Sequence, residues 1–293
     1  MGCSLVPKVW LGRRQPAGLI YCPPGRTQSV DFHMTADATQ RFGIDGQRAI
    51  VTGASSGIGR AIAEQFAAEG ADVAICSREQ ENVDPVAEGI EDSDRPGEAI
   101  AVECDVTDRD AVDAFVEETV DAFGGIDVLV NNAGASFVAA FDDISPNGWQ
   151  TIVDINLTGT YNCTHAAGDH LADGGGSVIN LASIAGQQGS PLMSHYGAAK
   201  AGVINLTNSL AVEWADRGVR VNCIAPGLVA TPGVESQMGI TAENVDRSEV
   251  DRRIGRSDEI ADVAQFLASP AASYMVGETV GVAGVPRIEE GLV

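Results

Sequence analysis

Lysine is almost missing from this chain. Only Lys8 and Lys200 are lysines among its 18 cationic side chains, the rest being arginine, and they face 41 acids for a net charge of −23. A surface this acidic repels a phosphate backbone, which excludes nucleic-acid recognition, since that needs a basic footprint to displace counterions. No apolar run approaches the ~18 residues that cross a bilayer, so a membrane span is excluded as well. The six cysteines, Cys3, Cys22, Cys76, Cys104, Cys163 and Cys223, contain no CxxC pair, and a chain of 293 residues is far larger than a disulfide-stapled scaffold. His165 and His170 are spaced five apart, off a shared helical face, which argues against a metal centre.

What is present is 44% hydrophobic residues and 34 glycines with few aromatics, the composition of a soluble α/β protein. Self-repulsion on this scale destabilises a compact state unless salt screens it. With buried thiols that suit a reducing compartment, the expectation is a cytoplasmic protein of a high-salt interior. Residues 1–33 stand apart, carrying Lys8, Arg13, Arg14 and Arg26 against the single acid Asp31. They lack a signal-peptide core, and Val6 stands where a myristoylation motif needs Ser or Thr. They are expected to be disordered or a non-native extension, with Met34 the true start and one domain over 34–293.

From Arg48 onward, apolar strand candidates alternate with helical periods, the pattern of βαβ units around a parallel sheet. The strands are expected at 48–52, 72–76, 99–104, 127–131, 177–182, 219–224 and 276–282. About seven strands make one Rossmann-type doubly wound sheet. Helical stripes run through Ile58, Ile62 and Phe66, through Val112, Phe115, Val116 and Thr119, through Ala199, Val203 and Leu206, and through Ile260, Val263, Ala264 and Leu267. Thr107 with Asp110 is expected to cap the second of these and Ser257 the last.

The first strand runs into Thr52-Gly53-Ala54-Ser55-Ser56-Gly57-Ile58-Gly59 and then a helix. Glycines there allow a tight turn and let backbone N–H groups approach a pyrophosphate at the helix N-terminus. At the end of the second strand, where an NAD site usually carries an acid for the ribose 2′-hydroxyl, the chain has Ser77 and then Arg78. A guanidinium suits a 2′-phosphate, so NADP is the preferred cofactor and NAD the alternative. Glu79 and Glu81 follow and could instead neutralise Arg78. Tyr196 and Lys200 are i and i+4 on one helical face, so an ammonium can stabilise a phenolate and let the tyrosine exchange protons near neutral pH. Ser183, at the end of the fifth strand, could orient a carbonyl beside that phenol.

Together these motifs resemble the short-chain dehydrogenase/reductase family in its single-domain form of about 250 residues. The features that match are Thr52-Gly53-x-x-x-Gly57-Ile58-Gly59, Asp105-Val106, Asn131-Asn132-Ala133-Gly134, Asn156, Ser183, Tyr196-x-x-x-Lys200 and Pro226-Gly227-Leu228-Val229-Ala230-Thr231. The resemblance implies Tyr196 as acid/base, Ser183 as the carbonyl-polarising hydroxyl, Lys200 as the residue that binds nicotinamide-ribose and lowers the tyrosine pKa, and Asn156 as holder of a relay water. It implies Asp105 and Val106 against adenine, Asn131 and Gly134 on the ribose side with Asn132 and Ala133 beside them, and Val229 and Thr231 against the carboxamide after Pro226 and Gly227. Many members end the last strand with Asp-Gly-Gly, whereas this chain reads Gly281-Val282-Ala283-Gly284-Val285.

The segment 228–256 is expected to be a substrate lid, and Met238, Ile240, Phe137, Leu192 and Met193 to wall a moderately apolar site. The substrate would be a small carbonyl or alcohol, such as a 3-oxoacyl thioester or a ketone, handled by a dimer or tetramer. An enoyl or dienoyl thioester reductase of the same fold, and a noncatalytic cofactor-binding sensor, are the rival readings. His195 has no assigned role beyond a pocket-edge or solvated neighbour.

Overall fold

Short runs of branched residues with no polar alternation, such as Arg48-Ala-Ile-Val-Thr52, can be strands only if both faces of their sheet are covered. In the computed structural model, which describes residues 38–285 apart from 94 and 252, they are. The strands are β1 (Arg48–Thr52), β2 (Asp72–Ser77), β3 (Ala99–Glu103), β4 (Val128–Asn131), β5 (Ser177–Leu181), β6 (Arg220–Pro226), the short β7 (Val229–Ala230) and β8 (Gly255–Arg256), and β9 (Thr279–Val282). The helices are α1 (Ala38–Phe42), α2 (Gly57–Ala68), α3 (Gln80–Glu91), α4 (Arg109–Phe123), α5 (Pro146–Val153), α6 (Gly159–Ala172), α7 (Ile184–Gln187), α8 (Ser194–Glu213), α9 (Pro232–Met238) and α10 (Ser257–Ala268).

Seven strands form one sheet in the order β3-β2-β1-β4-β5-β6-β9, every pair parallel. Alternate side chains on each strand divide between two cores. Val51, Ile75, Ile179 and Ile224 pack with Ile62 and Phe66 of α2, Ile90 of α3 and Leu267 of α10. On the other face Ile50, Leu129, Val178 and Val221 pack with Phe115 of α4, Leu171 of α6 and Ala211 of α8. The chain runs outward from β1 to β3 and then returns to lay β4 on the opposite side of β1. Crevices at such a reversal, outside the carboxyl ends of the strands, are where ligands bind in this architecture.

Element ends depart from expectation in ways that have physical causes. Asp108, not Thr107, caps α4, its carboxylate accepting the Asp110 and Ala111 N–H groups, while the Thr107 hydroxyl is spent on Asp105 Oδ1. Ser257 is the first residue of α10 rather than its cap, and the Glu259 carboxylate accepts the free N–H of Arg256 instead. The last strand starts at Thr279 instead of residue 276 because Gly277, at φ +80°, makes a turn before it. Residues 1–33 lie outside the described residues, of which no helix is long and apolar enough to cross a membrane.

Candidate active site

The glycine turn between β1 and α2 is held by β4. Buried Thr52 accepts the Asn132 and Ala133 N–H groups on its hydroxyl, each at 3.0 Å, and the Asn132 amide donates to Thr52 O and Gly53 O at 2.9 and 3.0 Å. Gly53 and Gly57 take φ of +64° and +60°, where a side chain is strained. A β-carbon on Gly53 would also stand 2.8 Å from Ala133 Cα, and one on Gly59 would collide with Asn132 Nδ2. The first turn of α2 carries no acid, and the Ser56 side chain makes no cap. Its N–H groups and positive end therefore face the reversal point with no acid in their own turn, and they fit the pyrophosphate of a dinucleotide. Ser55 is half-buried and Ser56 exposed on this turn, while Ile58 turns inward to pack on the core.

Arg78 lies exposed at the end of β2 and pairs with no carboxylate among the described residues, Glu79 and Glu81 included. Ser77 beside it donates to Glu79 O at 2.7 Å. After β3, Asp105 accepts the Thr107 N–H and hydroxyl, and Val106 is buried against Gly159, where a β-carbon would stand 2.6 Å from Val106 Cγ2. Asn162, which the sequence reading did not single out, fixes this corner by donating to Val106 O at 2.9 Å. Asn131 departs from expectation. Its side chain turns into the core and donates to Thr164 Oγ1 and Asn180 Oδ1, both at 2.8 Å, so it holds β4 to β5 and α6 rather than facing the ribose side.

Ser183, Tyr196, Lys200 and Asn156 converge. Ser183 caps α7, accepting the Ala185 N–H at 3.1 Å, and its hydroxyl is near enough to that of Tyr196 to favour the phenolate. One turn along α8 the buried Lys200 donates from Nζ to Leu181 O at 2.7 Å and lies 5.7 Å from the Tyr196 ring centre. Burial lowers its pKa to about 8. Burial also raises the pKa of Tyr196, and the Ser183 hydroxyl only opposes this. In the protein alone desolvation of the phenolate dominates, and the Lys200 ammonium is directed at a main-chain carbonyl.

Asn156 sits in a π-helical turn, Asp154–Thr158, between α5 and α6. The extra residue of such a turn redirects side chains, and these turns recur at functional sites. Asn156 is fully buried and donates to Ala135 O and Ile152 O, while its Oδ1 has no partner. A β-carbon on Gly134 would stand 2.8 Å from that oxygen and 3.4 Å from Lys200 Nζ. The bare glycine keeps open the space between an orphan acceptor and a donor, which suits a bridging water.

The chain after β6 passes the glycine turn at Thr231. Gly227 passes Ala283 where a β-carbon would touch at 3.0 Å, Val229 is buried in β7, and the Thr231 methyl lies 3.2 Å from the position of a Gly57 β-carbon. His195 is neither at a pocket edge nor solvated. It is fully buried, its ring centre 4.1 Å from that of Phe137 at a tilt of 46°, with no partner for either ring nitrogen and its pKa lowered by burial. Nothing in the sequence marks that contact.

Residues 53–284 match the family model described as enoyl-(acyl carrier protein) reductase. A 3-oxoacyl-[acyl-carrier-protein] reductase of Synechocystis sp. is 42% identical over 242 residues, covering 81% of this chain and 96% of that one. The chain belongs to the short-chain dehydrogenase/reductase family. Other members of the family extend the range: a 3beta-hydroxysteroid dehydrogenase 1 of Eggerthella lenta is 39% identical over 82% of this chain and 94% of its own. The crystal structure of a short-chain type dehydrogenase/reductase from Mycobacterium marinum superposes with a TM-score of 0.77 at 36% identity, over 84% of this chain and 97% of that one. This short-chain dehydrogenase/reductase is thus an oxidoreductase that transfers a hydride between a nicotinamide cofactor and a carbonyl or alcohol substrate.

Proposed function

We propose that the enzyme reduces a moderately apolar carbonyl compound, a 3-oxoacyl thioester or a ketone, with NADPH, or oxidises the corresponding alcohol. The observation that carries the proposal is the convergence of the Ser183 and Tyr196 hydroxyls at the carboxyl edge of the sheet, one helical turn from Lys200. Ser183 would hold the substrate oxygen, and Tyr196 would deliver the proton to it along the same line. Bound there, the nicotinamide supplies the hydride and, when oxidised, a positive charge that favours the phenolate. Lys200 would turn from Leu181 O toward the ribose and return the proton to Tyr196 through a water on Asn156 Oδ1. Gly53, Ser55, Ser56, Gly57, Ile58 and Gly59 would cradle the pyrophosphate, with Asn132, Ala133 and Gly134 behind it. Asp105 and Val106 would hold adenine, and Val229 and Thr231, after Pro226 and Gly227, the carboxamide.

The unpaired guanidinium of Arg78 supports NADP over NAD, since a 2′-phosphate would give it the anion this chain does not. Residues 228–256 act in this reading as the lid of the domain 34–293. Although the matching family model is described by enoyl reduction, a hydroxyl pair at Ser183 and Tyr196 favours C=O chemistry, because a proton delivered to a carbonyl oxygen completes C=O reduction whereas C=C reduction must finally protonate carbon. A homo-oligomer in a salt-rich cytoplasm fits the −23 net charge and the buried free thiols of Cys76, Cys104, Cys163 and Cys223. Tyr196→Phe is expected to lower turnover of ketones by about 100-fold or more while NADPH affinity, read by its fluorescence, stays within a few-fold. Turnover that survives the substitution would reject the mechanism.

A further inference from the structure

Three chain segments leave the carboxyl ends of β4, β5 and β6, the edge of the sheet at which Ser183 and Tyr196 lie. Each exposes large apolar side chains: Phe137, Val138 and Phe141 on the first, Leu192 on the second, Leu228 and Met238 on the third. The first two walls are joined, since Ala139 donates to Leu192 O at 3.0 Å and the Phe137 ring packs against that of His195. Leu192 has φ +66°, and among the described residues it is the one non-glycine in the left-handed region. A leucine gains nothing from that conformation, so the surrounding contacts hold a strained residue that keeps an apolar side chain at the surface beside the catalytic tyrosine.

Charge at the same mouth is of one sign. The segment after β4 offers the exposed carboxylates Asp142 and Asp143 and no cation, and the segment between β5 and Tyr196 has no ionised group. After β6 the described arginines are all engaged with carboxylates of α10. Arg247 holds Asp258 and Asp262 at 3.2 and 2.9 Å, Arg253 grips both oxygens of Glu259, and Arg256 holds Asp258 at 3.1 Å. Arg252 lies outside the described residues.

We propose that the substrate is uncharged and is recognised by its hydrocarbon alone, so that the site discriminates against the same acyl group when it is carried on a polyanionic, phosphate-bearing handle. The proposal rests on the carbonyl chemistry argued above and narrows its substrate class. A polyanion entering an apolar mouth rimmed by carboxylates meets like-charge repulsion through water that screening ions remove, and no free guanidinium among the described residues of these three segments offers it a bidentate partner. A neutral ketone or thioester meets neither effect.

The test compares one 3-oxoacyl chain of eight carbons as its neutral N-acetylcysteamine thioester and as its coenzyme A thioester, with saturating NADPH, between low salt and about 1 M salt. At low salt kcat/KM for the neutral thioester should exceed that for the coenzyme A thioester by roughly tenfold, and the gap should close as salt rises. Asp142→Asn with Asp143→Asn should raise kcat/KM for the coenzyme A thioester severalfold and leave that for the neutral one where it was. A coenzyme A thioester preferred at low salt, with kcat/KM that falls as salt rises, would overturn the proposal. So would an Arg252→Ser variant that loses activity on the coenzyme A thioester alone, since that would reveal a handle site. Turnover of neither thioester nor of neutral ketones would defeat the carbonyl-reductase reading itself, and the inference with it.

Discussion

Replacing Lys200 with methionine should make the cofactor-free protein more stable at neutral pH while it ends catalysis. Methionine keeps the length of the side chain and suits the apolar surroundings of a residue that is 3% exposed. Burial sets the Lys200 pKa at about 8 against an ordinary 10.5, and at 1.36 kcal/mol per pH unit the gap is worth about 3 kcal/mol. Below pH 8 the lysine is protonated in both folded and unfolded chains, so the folded state carries the whole cost of burying the charge. Between pH 8 and 10.5 only the unfolded chain holds the proton, and stability from this group rises with pH. Above 10.5 the difference is gone. Against this, methionine abandons the 2.7 Å bond to Leu181 O, a loss of about 1 kcal/mol. The variant should therefore gain about 2 kcal/mol at pH 7 and lose that advantage by about pH 10. Urea denaturation of the full chain, wild type beside variant at each pH from 6 to 10, reads this directly. A variant less stable than wild type at pH 7, or a difference that does not change with pH, would refute the account of Lys200 as a charge that the fold resists and function retains.

Arg78→Asp should shift cofactor preference from NADPH toward NADH, with the KM for NADPH rising about tenfold or more. Because Arg78 is exposed and unpaired, the melting temperature should hardly move, and a wild type that already prefers NADH would contradict the assignment. Gly134→Ala should place a methyl group 2.8 Å from Asn156 Oδ1, displacing the relay water. Expected is a kcat about tenfold lower with NADPH affinity retained, and unchanged kcat would remove Asn156 from the proton path.

Most of the sheet is legible because a strand covered on both faces must be apolar throughout, and the seven strands differ from expectation only at their ends. The ends are harder because several acceptors compete within one turn. At the start of α4, Thr107, Asp108 and Asp110 could all cap, and the outcome depends on Asp105 having already claimed the Thr107 hydroxyl. The π-helical turn that leaves Asn156 Oδ1 without a partner inserts one residue into an otherwise helical run, and hydrophobic spacing does not register it. The setting of His195 is not legible because its neighbour Phe137 belongs to a different segment.

The Tyr196–Lys200 pair shows where reading by spacing stops. Four residues on a helix guarantee that two side chains share a face, but not which atom the ammonium addresses or whether its field exceeds the cost of burying a phenolate. In this fold Lys200 addresses Leu181 O and the Tyr196 pKa lies above its ordinary value. For Tyr196 to exchange protons near neutral pH, positive charge must come closer to the phenol than Lys200 brings it. An oxidised nicotinamide against the same tyrosine is such a charge, and its ribose would draw the ammonium off the Leu181 carbonyl. On this reading the proton-transfer device is assembled by cofactor binding, so its working pKa should appear in the pH profile of kcat and not in titration of the protein alone.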